Sequence, residues 1–413
     1  MQLRYNYRVY PTSGQRMALA RAFGCARVVY NDGLRARQEA HAAGLPYIRD
    51  TDLQKQVLTA AKRTEDRAWL AEVSSVVLVQ SLRDLHTAYR NFFSSVTGKR
   101  KGPKIAPPRF RSKRDSRQSI RLTVNGFRLR DNGRLYVAKI GNLEVRWSRP
   151  LPATPTSVTV TKDAADRYWA SFVVETAPHI TADLDFGGDL DAETGIDLGL
   201  THFAVLSDGK KIDAPKFLRQ AERKLKRMQQ ALSRCAKGSN NRAKARRKVA
   251  RQHARVADRR RDWHHKESTR LVRDNQALYV EDLAVSGLAR TNLAKSVHDA
   301  GWSQFLMMLE YKAVKNGRYF GRIGRFEPTS QICSACGIKD GPKPLSIRHW
   351  TCERCRTTHD RDVNAARNIL AAGRADRLNA SQSAGKTGPV PAQRVEAGTH
   401  RDGQTTVVGI SAR

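Results

Sequence analysis

The stretch Gly195-Ile196-Asp197-Leu198-Gly199-Leu200 decides the fold of this chain. It reads as a buried strand with one carboxylate among apolar neighbours, which is costly unless cations or metals compensate it. Downstream, Phe203–Leu206 and Lys211–Ile212 read as two more strands around the turn Ser207-Asp208-Gly209. Residues 216–274 read as one long helix or a helical pair, broken near Gly238-Ser239-Asn240. Ala277–Glu281 is another apolar strand and ends on an acid. Trp302–Asn316 is an amphipathic helix with Phe305, Leu306, Leu309 and Val314 on one side, and Tyr319–Gly324 is a further strand. A short helix over Asp362–Ala372 closes the pattern and opens on Asp362, near the positive end of a helix dipole.

Taken singly, Asp197 could be a turn residue, Glu281 a surface strand end and Asp362 a helix cap. Their order is more specific. A strand Asp, a three-strand meander, helices, a strand Glu and a helix Asp make the layout of an RNase-H-like nuclease core. In such a core the carboxylates meet at one end of the sheet and hold two Mg²⁺ ions about 4 Å apart. Hard cations take oxygen ligands, so Asp and Glu suit Mg²⁺ or Mn²⁺.

Cys333-Ser334-Ala335-Cys336 and Cys352-Glu353-Arg354-Cys355 lie 15 residues apart. Two CxxC knuckles at this spacing let four thiolates close a tetrahedron around structural Zn²⁺, with no position left for a reacting water. The other two cysteines, Cys25 and Cys235, carry no pattern.

The N-terminal half is different. Residues 3–10 alternate as a strand until Pro11, and 12–95 reads as a bundle of four helices broken at Gly44-Leu45-Pro46. From Ile120 to Glu175 the pattern is β, with a hairpin signal at Asp131-Asn132-Gly133. Strand 3–10 would join these to make a small barrel, leaving the helical segment as an insertion.

Charge sets the partner class. The 413 residues hold 75 Lys or Arg against 39 Asp or Glu, a net +36, which calls for a polyanion. Gly98–Ser119 holds nine Lys or Arg and one Asp, and 214–274 holds 21 against 5. In these stretches Lys99, Arg100, Lys101, Lys104, Arg109, Arg111, Lys113 and Arg114, with Arg246, Arg247, Lys248 and Arg251, are candidate phosphate contacts. No apolar run approaches the ~18 residues of a membrane span, and Met1–Tyr5 has no apolar stretch like a secretory signal, so a cytosolic, nucleoid-associated protein is expected.

The strand at 195–200, Tyr279-Val280-Glu281-Asp282-Leu283, the four-cysteine ribbon and His359-Asp360-Arg361-Asp362-Val363-Asn364-Ala365-Ala366-Arg367-Asn368-Ile369 resemble TnpB. This is the family of transposon-encoded RNA-guided nucleases related to type V CRISPR effectors. The resemblance implies a wedge-like β-barrel (1–10 and 98–178) holding a helical recognition lobe (11–97), the latter starting like a helix-turn-helix. It further implies a RuvC-like nuclease domain (194–327 and 359–372) around a zinc ribbon (328–358), and a disordered tail at 373–413.

Carried over by motif, Asp197, Glu281 and Asp362 are the metal-binding triad, Asp362 being preferred over Asp360. The implied activity is cleavage of double-stranded DNA beside a short transposon-adjacent motif, directed by a guide RNA from the transposon end, by a protein expected to be a monomer. The alternatives are an RNA-guided binder without cleavage and an accessory transposase protein.

Overall fold

A computed structural model describes residues 2–176, 191–344, 346–384 and 409–411. Two compact units divide the chain, Met1–Thr176 with Ala397–Arg413, and Ala177–Glu396.

In the first unit, β1 (Gln2–Tyr10) alternates buried Leu3, Tyr5, Tyr7 and Val9 with outward Arg4, Asn6 and Arg8. Pro11 ends the strand and Thr12 caps α1 (Ser13–Ala42). The Thr12 hydroxyl accepts from Gln15 N–H, and the Gln15 side chain accepts from Thr12 N–H. After the turn at Gly44 come α2 (Asp50–Gln54), short π and 3₁₀ turns over 55–72, and α3 (Ser75–Val96). The expected four-helix bundle is thus two long helices and short turns. The polar run Lys62–Asp66 offers no apolar face to extend a third.

Strands β2 (Gln118–Thr123), β3 (Phe127–Leu129), β4 (Leu135–Val137), β5 (Gly141–Arg146), β6 (Ser157–Lys162) and β7 (Tyr168–Glu175) follow. The order is β2-β6-β7-β1-β5-β4-β3, with β1 between β7 and β5, so the helical segment is an insertion as expected. Asn132 and Gly133 form the β3–β4 turn, with Gly133 at φ +73°. Among the described residues β2 and β3 do not pair. The element is therefore a curled sheet rather than the closed barrel expected.

The second unit opens with the antiparallel meander β8 (Glu193–Leu198), β9 (His202–Leu206) and β10 (Lys211–Asp213). Helices α4 (Phe217–Ser233) and α5 (Asn240–Asp274) form the expected pair. Then β11 (Ala277–Glu281) runs parallel to β8. Helices α6 (Val285–Leu288), α7 (Ala294–Ala300) and α8 (Trp302–Lys315) precede β12 (Tyr319–Ile323), parallel to β11. The sheet order is β10-β9-β8-β11-β12. One sheet face buries Ile196, Leu198, Leu278 and Val280 against Leu271 and Val272 of α5 and Phe305, Leu306 and Leu309 of α8. Val314, expected on that face, is exposed.

A two-stranded ribbon, β13 (His349–Thr351) with β14 (Thr358–Asp360), leads into α9 (Arg361–Ala384). Helix α9 covers the other sheet face, where Ile369 meets Ala277, Tyr279 and Ile323. A side chain at Gly195 would collide with the Ala366 carbonyl, and one at Gly373 with the Tyr279 ring, so these glycines let the helix lie flat.

The helix runs well past the expected Ala372. Arg374 and Arg377 both pair with Glu193, and this stretch of the expected tail is therefore ordered helix. A last strand, β15 (Gly409–Ser411), pairs with β1; the rest of the expected tail, 385–408 and 412–413, lies outside the described residues. No helix of the described residues is long and apolar enough to cross a membrane.

Candidate active site and metal centre

Asp197 sits near the carboxyl end of β8, the central strand. The parallel register Val280↔Ile196 brings Glu281 alongside it at the same end of the sheet. Asp362 enters from the first turn of α9. Asp197 is the acid whose surroundings act on it most. Burial, then the charges of Glu281 and Asp362, push the Asp197 carboxyl from 3.8 up to about 7, while Arg361 and Arg348 oppose the shift.

Each neighbouring acid has its own partner. Thr329 Oγ1 donates to Glu281 Oε1 at 2.5 Å. Arg348 approaches Asp362 Oδ1 at 3.3 Å. Asp360 is engaged elsewhere. Its Oδ1 accepts from the N–H groups of Asp362 and Val363 at 3.0 and 3.1 Å, capping α9. Its Oδ2 pairs with Lys211 at 2.6 Å, which also holds this carboxyl below its usual range.

Two asparagines one turn apart on α9 tie the helix to the loop before the ribbon. Asn368 Nδ2 donates to the carbonyls of Thr329 and Ile332, both at 2.7 Å. Asn364, buried, donates to Ile332 O at 2.7 Å and accepts from Ser334 N–H at 2.8 Å. Thr329 therefore bridges the strand bearing Glu281 and the helix bearing Asp362. Sequence reading missed Thr329, Arg348 and both asparagines. The Asn364-x-x-x-Asn368 spacing was the signal, since it puts two amides on one helix face.

Cys333, Cys336, Cys352 and Cys355 have sulfurs that all lie within 4.8 Å of one another. The Cys333–Cys355 and Cys336–Cys352 separations are 3.6 and 3.7 Å. A tetrahedral ion with ~2.3 Å bonds to sulfur spaces its ligands by about 3.8 Å, so the donor set fits Zn²⁺. The two knuckles repeat one turn: Gly337 N–H bonds to Cys333 O, and Arg356 N–H to Cys352 O. Both residues following the second cysteine are left-handed, at φ +73° and +61°. His359 Nε2 lies 3.0 Å from Cys333 Sγ, and its ring packs on Trp350. The three acids are not gathered as tightly as the cysteines.

Of the candidate phosphate contacts, Lys99, Lys101, Lys104, Arg109, Lys113 and Arg114 are exposed on a segment without regular structure. Arg111 is instead used by the fold: it stacks over Tyr30 at 3.8 Å and pairs with Asp84 at 3.4 Å. Arg246, Arg247, Lys248 and Arg251 are exposed along α5, a helix about 50 Å long.

Residues 1–45 match a family described as "Helix-turn-helix domain", although they fold as β1 and one continuous helix. Residues 191–292 match one described as "Probable transposase", and 302–369 "Cas12f1-like, TNB domain". A "Putative RNA-guided DNA endonuclease" of Streptomyces pristinaespiralis is 46% identical over 89% of each chain. "Putative RNA-guided DNA endonuclease InsQ" of Escherichia coli K12 is 32% identical over 90% of this chain and 92% of its own. The fold is also similar to that in "Cryo-EM structure of the Cas12f1-sgRNA-target DNA complex", with a TM-score of 0.52, 13% identity, and coverage of 86% of this chain and 83% of the other. With such relatives along nearly its whole length, this chain belongs to the TnpB family.

Proposed function

We propose that this protein is an RNA-guided DNA endonuclease with a RuvC-like site formed by Asp197, Glu281 and Asp362. One observation carries the site: the parallel register of β11 on β8 sets Glu281 beside Asp197, and Asp362 stands in the first turn of the helix that packs on that sheet; burial and the charges of these two acids raise the Asp197 carboxyl, as at many functional sites. Their oxygens suit Mg²⁺ or Mn²⁺. When bound there, two such ions would supply an activated water and a counter-charge for the departing 3′ oxygen.

The chain's own residues do the rest. Thr329 fixes the rotamer of Glu281. Arg348, half exposed beside Asp362, balances that acid and can turn to a substrate phosphate. The cysteine ribbon holds structural Zn²⁺ and, through Asn364, stays registered with α9. The exposed cations of the 98–117 segment and of α5 grip the phosphates of a guide–target heteroduplex, which needs charge more than base reading. The first unit, strand sheet and helices together, grips the guide RNA and reads the short transposon-adjacent motif on double-stranded DNA.

The test is plasmid cleavage by protein loaded with its copurifying RNA, with and without Mg²⁺. Asp197→Ala should lower cutting by about 10³-fold or more while guided DNA binding persists. Cutting that survives this substitution removes Asp197 from the site.

A further inference from the structure

Between β12 and the ribbon the chain forms an arch over Gly324–Thr329. Both feet of the arch rest on the end of β11. At one foot Arg325 donates to the Asp282 carboxylate at 2.6 Å and to its carbonyl at 3.1 Å. At the other, Thr329 donates to Glu281 at 2.5 Å while its carbonyl accepts from Asn368 at 2.7 Å. Bonds from Glu327 N–H to Gly324 O and from Thr329 N–H to Glu327 O, 3.3 and 2.8 Å, stiffen the span.

Phe326 stands between the feet. It is 93% exposed, against 67% for Val96, the next most exposed large apolar side chain of the described residues. Scattered apolar side chains are common on surfaces; a fully solvated ring on a braced arch is a different case.

Resting on the endonuclease reading above, we propose that Phe326 is a stacking platform for a base of the DNA strand presented to Asp197, Glu281 and Asp362. Three arguments select a nucleobase. Along the arch Phe326 is flanked by Arg325, Glu327 and Pro328, so within it the ring is a single flat aromatic beside charged residues. Every base offers a π-face, and a lone aromatic beside cations is how single strands are held without sequence preference. Arg348 and Arg361 supply positive charge beside the acids. Finally, Phe326 is three residues from Thr329, so their Cα atoms lie no more than about 11 Å apart. A strand whose phosphate reaches the acids therefore brings an adjoining base within reach of the ring.

The test uses the guide-loaded protein and target DNA carrying 2-aminopurine at successive positions around the cut. In the Asp197→Ala background, which leaves the strand intact, one position should be quenched by stacking, and Phe326→Ala should relieve that quenching. In the otherwise native protein, Phe326→Ala should lower cleavage kcat/KM about 5- to 150-fold, with guided binding and Mn²⁺ affinity within about twofold. Phe326→Trp should restore both signals. No change in quenching at any position, together with cleavage within about twofold of native, overturns the proposal. If the native complex cuts nothing, the endonuclease reading fails, and Phe326 is then judged on the quenching alone.

Discussion

Two ligand clusters share the second unit and are built on opposite lines. The four sulfurs lie within 4.8 Å of one another, spaced as a tetrahedral ion requires. The three carboxylates come from a strand, another strand and a helix, and are kept looser. Glu281 leans on Thr329, Asp362 on Arg348, and Asp197 is held toward neutrality by its neighbours. The four thiolates would complete a tetrahedral site from the chain alone, so an ion held there would stabilise the ribbon and leave no position for substrate. The carboxylates are only partly balanced, by Arg348 and Arg361, so the proposed site retains negative charge suited to hard cations.

Breaking the closed cluster should have the largest effect. Replacing Cys333 and Cys336 together by Ser should reduce bound zinc from about one per chain to near none and unfold the ribbon. Structural zinc binding is worth on the order of 10 kcal/mol in small domains. Cleavage should fall with it, because Asp362 follows directly from the ribbon. Zinc analysis and a nuclease assay check this; unchanged zinc and activity would separate the two clusters entirely.

The open cluster should instead be stabilised by removing its charge. The Asp197 carboxyl is raised in the folded state, from 3.8 to about 7. The folded protein thus keeps a proton that the unfolded chain releases, and in magnesium-free buffer stability should fall as pH rises through that window. Asp197→Asn should flatten the slope and give a protein more stable at pH 8 but inactive. Urea unfolding at several pH values reads it; an identical slope in the variant would mean that folding does not raise the Asp197 carboxyl.

A smaller effect is expected from the bridge between the acids. Thr329→Val keeps the shape and removes the hydroxyl that holds Glu281. Mn²⁺ affinity, followed by electron paramagnetic resonance, should weaken about 10- to 100-fold, as for other groups that orient metal ligands. Thr329→Ser should recover it, and zinc content should not move.

The candidate acids stood out in the sequence through their order, a strand Asp, a strand Glu and a helix Asp, since each taken singly also fits a turn, a strand end or a cap. The cysteines were legible because their spacing is local. Choosing Asp362 over Asp360 rested on motif resemblance; in the fold Asp360 caps α9 and pairs with Lys211, while Asp362 lies beside Arg348. Thr329 and Arg348 were illegible: a threonine in a loop and an arginine before a strand acquire meaning only through tertiary contacts. The continuation of α9 past Ala372 was missed because its register is set by pairs between Arg374, Arg377 and the distant Glu193, and by Gly373 passing Tyr279. Barrel closure failed for a similar reason. Alternation predicts strands, while whether the first and last of them pair depends on curl that no single strand encodes.

Anomalous diffraction from crystals of the protein soaked in Mn²⁺ would go straight to the proposed nuclease site. Manganese should be held by carboxylate oxygens of Asp197, Glu281 and Asp362, and should be lost in Asp197→Ala. Manganese absent from those three side chains in the native protein, or bound equally well in the variant, would contradict a cation site built from these acids.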